Sequence, residues 1–105
     1  APATAVEFER AWKRAKADPH ALETLLQSVP TDRFAVFFRS HLDDEILQSI
    51  VRCVCGTLLP ARPEEALRIL LGMAGVPRLK LGLRFLDKAD RALLEGAWVE
   101  LRRQG

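Results

Sequence analysis

The chain has 105 residues, of which 49% are hydrophobic and 29% are charged, and it predicts one folded domain over residues 1–105. Its 16 lysines and arginines are nearly balanced by 14 aspartates and glutamates, so the net charge of +2 does not mark nucleic acid or a membrane as the partner. Apolar runs are only a few residues long, and no membrane-spanning helix is predicted.

The first predicted element is an amphipathic helix that begins after a capping box. Thr4 and Glu7 occupy positions at which a hydroxyl and a carboxylate each accept a hydrogen bond from a free backbone amide. Phe8 and Trp12 then lie on one apolar stripe. Residues 1–4 lack the basic start and apolar stretch of a signal peptide, and we expect them to be the cut end of a longer protein.

Two shorter helices are predicted next, each from its boundary residues. Asp18 and Pro19 form an N-cap followed by proline at the first helical position, which predicts the start of the second helix. Pro30 predicts its end, because proline has no N–H to continue the hydrogen-bond pattern. Thr31 and Asp32 are then expected to cap a short third helix that is rich in phenylalanine.

The fourth predicted helix runs from residue 43 to about residue 59 and is apolar over more than half of its circumference. So wide an apolar face indicates contact with several neighbours, and we expect this helix to be the central one. Cys53 and Cys55 lie within it, two positions and so roughly 200° apart. Thiols on opposite sides can neither bridge each other nor bind one metal ion, so we expect two reduced, buried cysteines, as in a reducing compartment.

Three more helices complete the predicted fold. Pro63 predicts the start of the fifth helix and Gly75 its end, residues 78–86 predict a short sixth helix, and residues 87–90 cap a seventh that runs to about residue 103. The apolar face of the seventh helix comprises Leu94, Ala97, Trp98 and Leu101. Short links and the absence of strand patterns predict an all-α fold, a compact single-domain bundle of about seven helices.

The sequence predicts no catalytic, metal or cofactor site. It lacks a glycine-rich phosphate loop, a serine nucleophile elbow and a helical histidine pair with an intervening glutamate. The best candidate metal ligands are His41, Asp43 and Asp44, but the two acids are explained by a helix start, where the helix dipole favours anions. We therefore expect a protein that is not an enzyme and needs no cofactor.

Residues 78–86 have more apolar surface than a short surface helix needs. A helical projection gives a first apolar face that comprises Leu79, Leu83 and Leu86. Leu81 and Phe85 lie on a second face together with Arg78, more than ~100° from Leu83. Two interpretations remain open: neighbouring helices bury both faces, or Leu81 and Phe85 form an exposed apolar anchor beside Arg78 for a protein partner.

Four pieces of the sequence, by their order and spacing, match one known family. They are residues 7–12 (Glu-Phe-Glu-Arg-Ala-Trp), Phe37-Phe38 followed by residues 42–47 (Leu-Asp-Asp-Glu-Ile-Leu), residues 66–70 (Ala-Leu-Arg-Ile-Leu), and residues 78–86 with the helix after them. From residue 6 to about residue 98, the chain resembles the C-terminal domain of RNA polymerase II-associated protein 3. That domain also occurs in sperm-associated antigen 1 and coiled-coil domain-containing protein 103.

The resemblance implies a non-catalytic adaptor or co-chaperone domain that docks its parent protein onto a RuvB-like AAA+ ATPase. The parent protein would in turn link that ATPase to the heat-shock protein 90 machinery. Relatives assist the assembly of polymerases, small nucleolar ribonucleoproteins and axonemal dynein arms. We therefore expect a cytoplasmic protein, with the nucleus as a second compartment.

The resemblance also implies which residues bind the partner. The family's docking stretch has the form Arg-Phe-x-Met-x-x-x-Phe. Arg78 and Phe85 match it, Leu81 replaces the methionine and Leu79 replaces the first phenylalanine. The implied partner-binding residues are Arg78, Leu81 and Phe85.

Two other functions remain open at this point. A nucleic-acid-binding module would use Arg10, Arg14, Arg102 and Arg103, and its affinity would fall steeply with salt. Glutamates interspersed among the basic residues of the first helix favour an ordinary solvated face over this function. An exposed apolar patch in residues 78–86 would instead allow a homodimer.

Overall fold

The computed structural model describes residues 2–104, the side chain of Gln104 excepted, and this part of the chain forms seven helices and no strand. The helices are α1 (Ala5–Ala15), α2 (Pro19–Ser28), α3 (Arg33–Phe37), α4, α5 (Pro63–Ala74), α6 (Leu79–Arg84) and α7 (Lys88–Gln104). Helix α4 has three consecutive segments, α-helical Asp44–Val51, π-helical Arg52–Leu58 and α-helical Leu59–Ala61. The all-α prediction is confirmed. Ala1, the first residue of the expected cut end, lies outside the described residues.

Most of the predicted helix starts have the expected capping geometry. The Thr4 hydroxyl accepts a hydrogen bond from the Glu7 amide at 3.2 Å, and the Glu7 carboxylate accepts one from the Ala3 amide at 2.7 Å. Asp18 and Asp43 cap α2 and α4 in the same way. The prediction for α3 was wrong in one respect, because the Asp32 side chain makes no capping hydrogen bond there.

Helix α4 is central, as predicted, but its middle is not the regular α-helix that was expected. The Leu59 amide donates to the carbonyl of Val54, five residues back, which is the hydrogen bond of a π-helix. Pro60 contributes to this pattern, since it has no N–H to offer the carbonyl four residues earlier. The wider turn lets Cys53, Val54 and Cys55 all be buried, and the π-helical segment packs against α2, α5 and α7.

Close contacts on α5 hold it against α2 and α3. A Cβ at Gly72 would lie 2.6 Å from Cδ2 of Phe34 and 2.7 Å from the carbonyl oxygen of Thr31, so only glycine allows this approach of the two helices. The guanidinium of Arg68 donates to the backbone carbonyl oxygens of Gln27, at 3.1 Å, and Val29, at 2.7 Å. These carbonyls belong to the C-terminal end of α2, where no intrahelical donor remains for them.

An ion pair fastens α7 to the π-helical segment of α4. Arg52 Nε donates to Oδ1 of Asp90 at 2.8 Å, and a second nitrogen of the same guanidinium lies 3.6 Å from Asp87 Oδ2. Asp90 is only 2% exposed. The hydrogen bond from Arg52 lowers the pKa of the Asp90 carboxyl against the opposing effect of burial. This pair joins the start of α7 to α4.

Within residues 2–104, no helix combines the length and the apolar character that a membrane crossing requires.

Candidate protein-binding surface on α6

The inner face of helix α6 has a glycine next to a leucine side chain of α4. A Cβ at Gly82 would lie 2.8 Å from Cδ2 of Leu47, so a larger residue at this position would require the end of the Leu47 side chain to move. Leu79 and Leu83, on either side of Gly82, are half-buried against the core. The helix is shorter than the predicted residues 78–86, since its regular part is Leu79–Arg84. The first apolar face of α6 therefore faces inwards, as the projection predicted.

The second apolar face of α6 is exposed. Leu81 is 50% exposed and Phe85 is 65% exposed, and Arg78 is exposed beside them. The Phe85 amide still donates to the carbonyl oxygen of Gly82 at 3.1 Å, so the backbone of Phe85 is held at the helix end while its ring faces solvent. The interpretation in which neighbours bury both faces of α6 was wrong. We call Arg78, Leu81 and Phe85 the α6 surface.

The region around the α6 surface is strongly basic. Residues 78–91 contain five cations, which are Arg78, Lys80, Arg84, Lys88 and Arg91. No carboxylate of the described residues lies within 4.0 Å of any of the five. Both acids of this stretch, Asp87 and Asp90, lie instead against Arg52. The near-neutral chain thus has a local excess of positive charge that its composition conceals.

A groove between α6 and α7 is a feature that sequence reasoning missed. It has a volume of about 330 Å³, and its walls include Leu83, Leu86, Leu94 and Trp98. Trp98 was predicted to face the core with Ala97, but Ala97 is buried and Trp98 is 41% exposed. Adjacent helical residues lie ~100° apart, so the small Ala97 faces α4 while Trp98 faces the groove. Sequence reasoning could not find the exposed Trp98, because its exposure depends on where α6 lies in the folded chain.

The candidate metal ligands and the two cysteines have structural roles. Asp43 caps α4 by accepting hydrogen bonds from the amides of Glu45 and Ile46, and no group of metal-ligand side chains occurs among the described residues. Cys53 and Cys55 are free and buried, and desolvation by burial raises the pKa of each thiol to about 11. Thiols with such a high pKa are poor nucleophiles at neutral pH.

The four arginines proposed for nucleic-acid binding lie on separate parts of the molecule. Arg10 and Arg14 are on α1, which packs against α2 and α3, whereas Arg102 and Arg103 are at the end of α7, which packs against α4. Anionic side chains accompany the cations on both helices, as in the Glu9–Lys13 pair of α1 and the Glu100–Arg103 pair of α7. The packing of these helices gives no support for one continuous phosphate-binding stripe.

An all-helical bundle that presents an apolar and basic surface has the architecture of a protein-interaction domain. Residues 1–91 match a family model described as the potential Monad-binding region of RPAP3. The chain therefore belongs to the family of the RPAP3 C-terminal region, and the family named from the sequence, that of RNA polymerase II-associated protein 3, is confirmed. The description of the family as a potential binding region for another protein supports a protein-interaction domain.

The fold has a match of known structure. The NMR structure of the C-terminal domain of human RPAP3 superposes with a TM-score of 0.86 at 17% sequence identity. The match covers 100% of this chain and 78% of that one. At this identity the likeness confirms the fold. No curated protein sequence matches the chain.

Proposed function

We propose that this domain docks its parent protein onto a RuvB-like AAA+ ATPase through the α6 surface, and so links that ATPase to the heat-shock protein 90 machinery. The observation that carries the proposal is the exposure of Leu81 and Phe85 beside Arg78, on a helix whose other apolar face is buried. Exposed aromatic and arginine side chains supply most of the binding energy in many protein interfaces. The cytoplasm is the compartment in which we propose that this docking occurs.

Phe85→Ala is the variant that tests this proposal. We expect it to weaken binding of purified RuvB-like ATPase by about 2 kcal/mol or more, roughly thirtyfold in Kd, because the anchoring ring is lost. The helical circular dichroism signal should not change, since the Phe85 ring makes little contact with the core. Titration calorimetry on wild type and variant, each checked by circular dichroism, gives the comparison.

Two control variants make the result specific. Val6→Ala removes an apolar side chain that is also exposed, at 58%, but lies on α1, and it should leave ATPase binding unchanged. Ile50→Ala opens the core and should lower the free energy of unfolding by about 2–5 kcal/mol. If Phe85→Ala loses helical signal as Ile50→Ala does, or binds the ATPase as well as wild type, the proposed anchor is wrong.

The family description favours a second protein partner, Monad. Parallel titrations of the same variants with purified Monad separate the two candidates. If the domain binds Monad but not the ATPase, and Phe85→Ala loses that binding, the α6 surface is still the binding site but its partner is Monad. A homodimer through the same surface would appear as a concentration-dependent mass in sedimentation, in the absence of any partner.

A further inference from the structure

The α6–α7 groove lies on a different side of α6 from the α6 surface. Leu83 lines the groove, whereas Leu81 and Phe85 are each roughly 160° from Leu83 on a helical projection. The deep apolar wall of the groove at Leu83 therefore faces away from Leu81 and Phe85. The match to the family model covers residues 1–91, and Trp98 lies outside it.

An apolar cavity lies behind the wall of the groove. A smaller apolar cavity of about 140 Å³ shares three of its walls, Leu83, Leu94 and Trp98. That cavity extends to Leu47, Ile50 and Met73, which belong to α4 and α5. A concave apolar wall with a deeper apolar pocket behind it is a suitable receptor for one large side chain of a peptide segment. The half-exposed indole of Trp98 would be covered by such a segment.

The charged residues at the edge of the groove indicate which charge a bound peptide segment should have. Arg84 and Arg91 both line it, and no carboxylate of the described residues lies within 4.0 Å of either guanidinium. Arg91 Nη2 donates to the carbonyl oxygens of Leu83 and Arg84 at 3.3 Å, which holds this guanidinium at the edge. Glu95 is the one acid of the lining. With Lys80 and Lys88 nearby in sequence, the surroundings favour a partner with carboxylates.

We propose that the α6–α7 groove is a second docking site, which binds an acidic amphipathic segment of a protein partner. A large apolar side chain of that segment packs on Trp98 and enters the apolar cavity behind it. Carboxylates of the segment pair with Arg84 and Arg91. The domain then holds two proteins at once, one on the α6 surface and one in the groove.

The test uses the indole N–H signals of the two tryptophans in the unmodified protein. Trp98 reports on the groove, and Trp12, which is 3% exposed on α1, serves as an internal control. The probe is a helical peptide of about 16 residues with leucine on one face and glutamate elsewhere. Its counterpart carries lysine in place of every glutamate. The Trp98→Phe variant assigns the signals.

The expected result is a saturable shift of the Trp98 signal with the glutamate peptide and none of the Trp12 signal. Binding should weaken about tenfold or more with the lysine peptide, with Trp98→Ala, and with the double variant Arg84→Glu, Arg91→Glu. Since Trp98→Ala lacks the reporting indole, its affinity and that of wild type are compared by titration calorimetry. Phe85→Ala should bind the peptide as wild type does. The experiment therefore tests the groove independently of the binding proposed for the α6 surface. The double variant must keep its circular dichroism spectrum for its loss of binding to count.

Three results would overturn the proposal. One is an unchanged Trp98 signal at millimolar glutamate peptide, and another is equal binding of the lysine peptide. The third is a Trp98 signal that shifts with protein concentration alone, which would assign the groove to a second copy of this chain.

Discussion

Asp90 shows how one buried carboxylate contributes to this fold. It lies at the start of α7, accepts a hydrogen bond from Arg52, and is almost without solvent contact. Its second oxygen, Oδ2, has no hydrogen-bond partner within the described part of the chain. Arg52 is the largest contributor to the lowered pKa of Asp90, and hydrogen bonds with Gln48 and Asp87 add to it.

The pH dependence of stability follows from the lowered pKa of Asp90. A carboxyl whose pKa is lower in the folded state than its ordinary value of 3.8 contributes its full stabilisation above that value and loses it as the pH falls through the folded pKa. Asp90→Asn keeps the size of the side chain but removes its charge. We expect it to lower the free energy of unfolding at pH 7 by about 1–3 kcal/mol. Urea titrations at pH 7 and pH 3 should show a smaller loss on acidification for Asp90→Asn than for wild type.

Asp32→Asn is the matched control for this experiment, because Asp32 is exposed and makes no capping hydrogen bond. It should unfold as wild type does at both pH values. Equal losses on acidification for wild type and Asp90→Asn would show that the Arg52–Asp90 pair does not determine the acid response.

The exposure of two aromatic residues could not be obtained from the sequence. Helical projection placed Phe85 on a second face of α6 but could not decide whether another helix covered that face. It placed Trp98 on the core face of α7, although the ring lies at a groove. In both cases the position of a neighbouring helix determines the exposure, and no local pattern encodes that position.

At the scale of the helix, close packing around glycine positions α5. Gly72→Ala would place a Cβ against the ring of Phe34 and the backbone of Thr31, and the backbone cannot move aside. We expect this variant to lower the free energy of unfolding by about 1–3 kcal/mol despite the better helix propensity of alanine. Thermal or urea unfolding measures the change.

Gly96→Ala is the control for Gly72→Ala, because the space around Gly96 is open. A Cβ at Gly96 of α7 would meet nothing within 4 Å, so alanine should be tolerated and should stabilise the helix by up to about 1 kcal/mol. If both alanine variants stabilise the protein, α3 and α5 do not pack as closely as the structure shows.

The π-helical segment of α4 determines how the helices are arranged. Its wide turn buries consecutive side chains, Cys53, Val54 and Cys55, towards different neighbours. The sequence predicted the large apolar circumference and the central position of this helix. It did not predict the change of helix type, because apolar periodicity does not distinguish a π-turn from an α-turn over so short a stretch.

At the scale of the whole molecule, packing around α4 predicts cooperative unfolding. Helix α5, which follows it in sequence, and the more distant helices α2 and α7 pack on it. Trp12 on α1 and Trp98 on α7 report on opposite ends of the chain. In Trp12→Phe and Trp98→Phe variants, we expect the remaining tryptophan fluorescence and the circular dichroism to give the same urea midpoint.

Separate midpoints would contradict the prediction of one domain over residues 1–105. In particular, an early Trp98 transition with helical signal retained would mean that α7 detaches from the rest of the bundle before it unfolds. A single-domain protein of this size normally shows one transition.

The sequence by itself determined the helical class, most helix boundaries, the central helix, the two faces of α6 and the family. These properties depend on local chemistry, since prolines, capping side chains and apolar spacing act within a few residues of where they occur. Tertiary structure alone decided that Leu81 and Phe85 are exposed and that Trp98 lies at a groove. It also decided that Arg52 forms ion pairs with both Asp87 and Asp90. Exposure and charge pairing depend on residues that are distant in sequence, and only the folded chain brings those residues together.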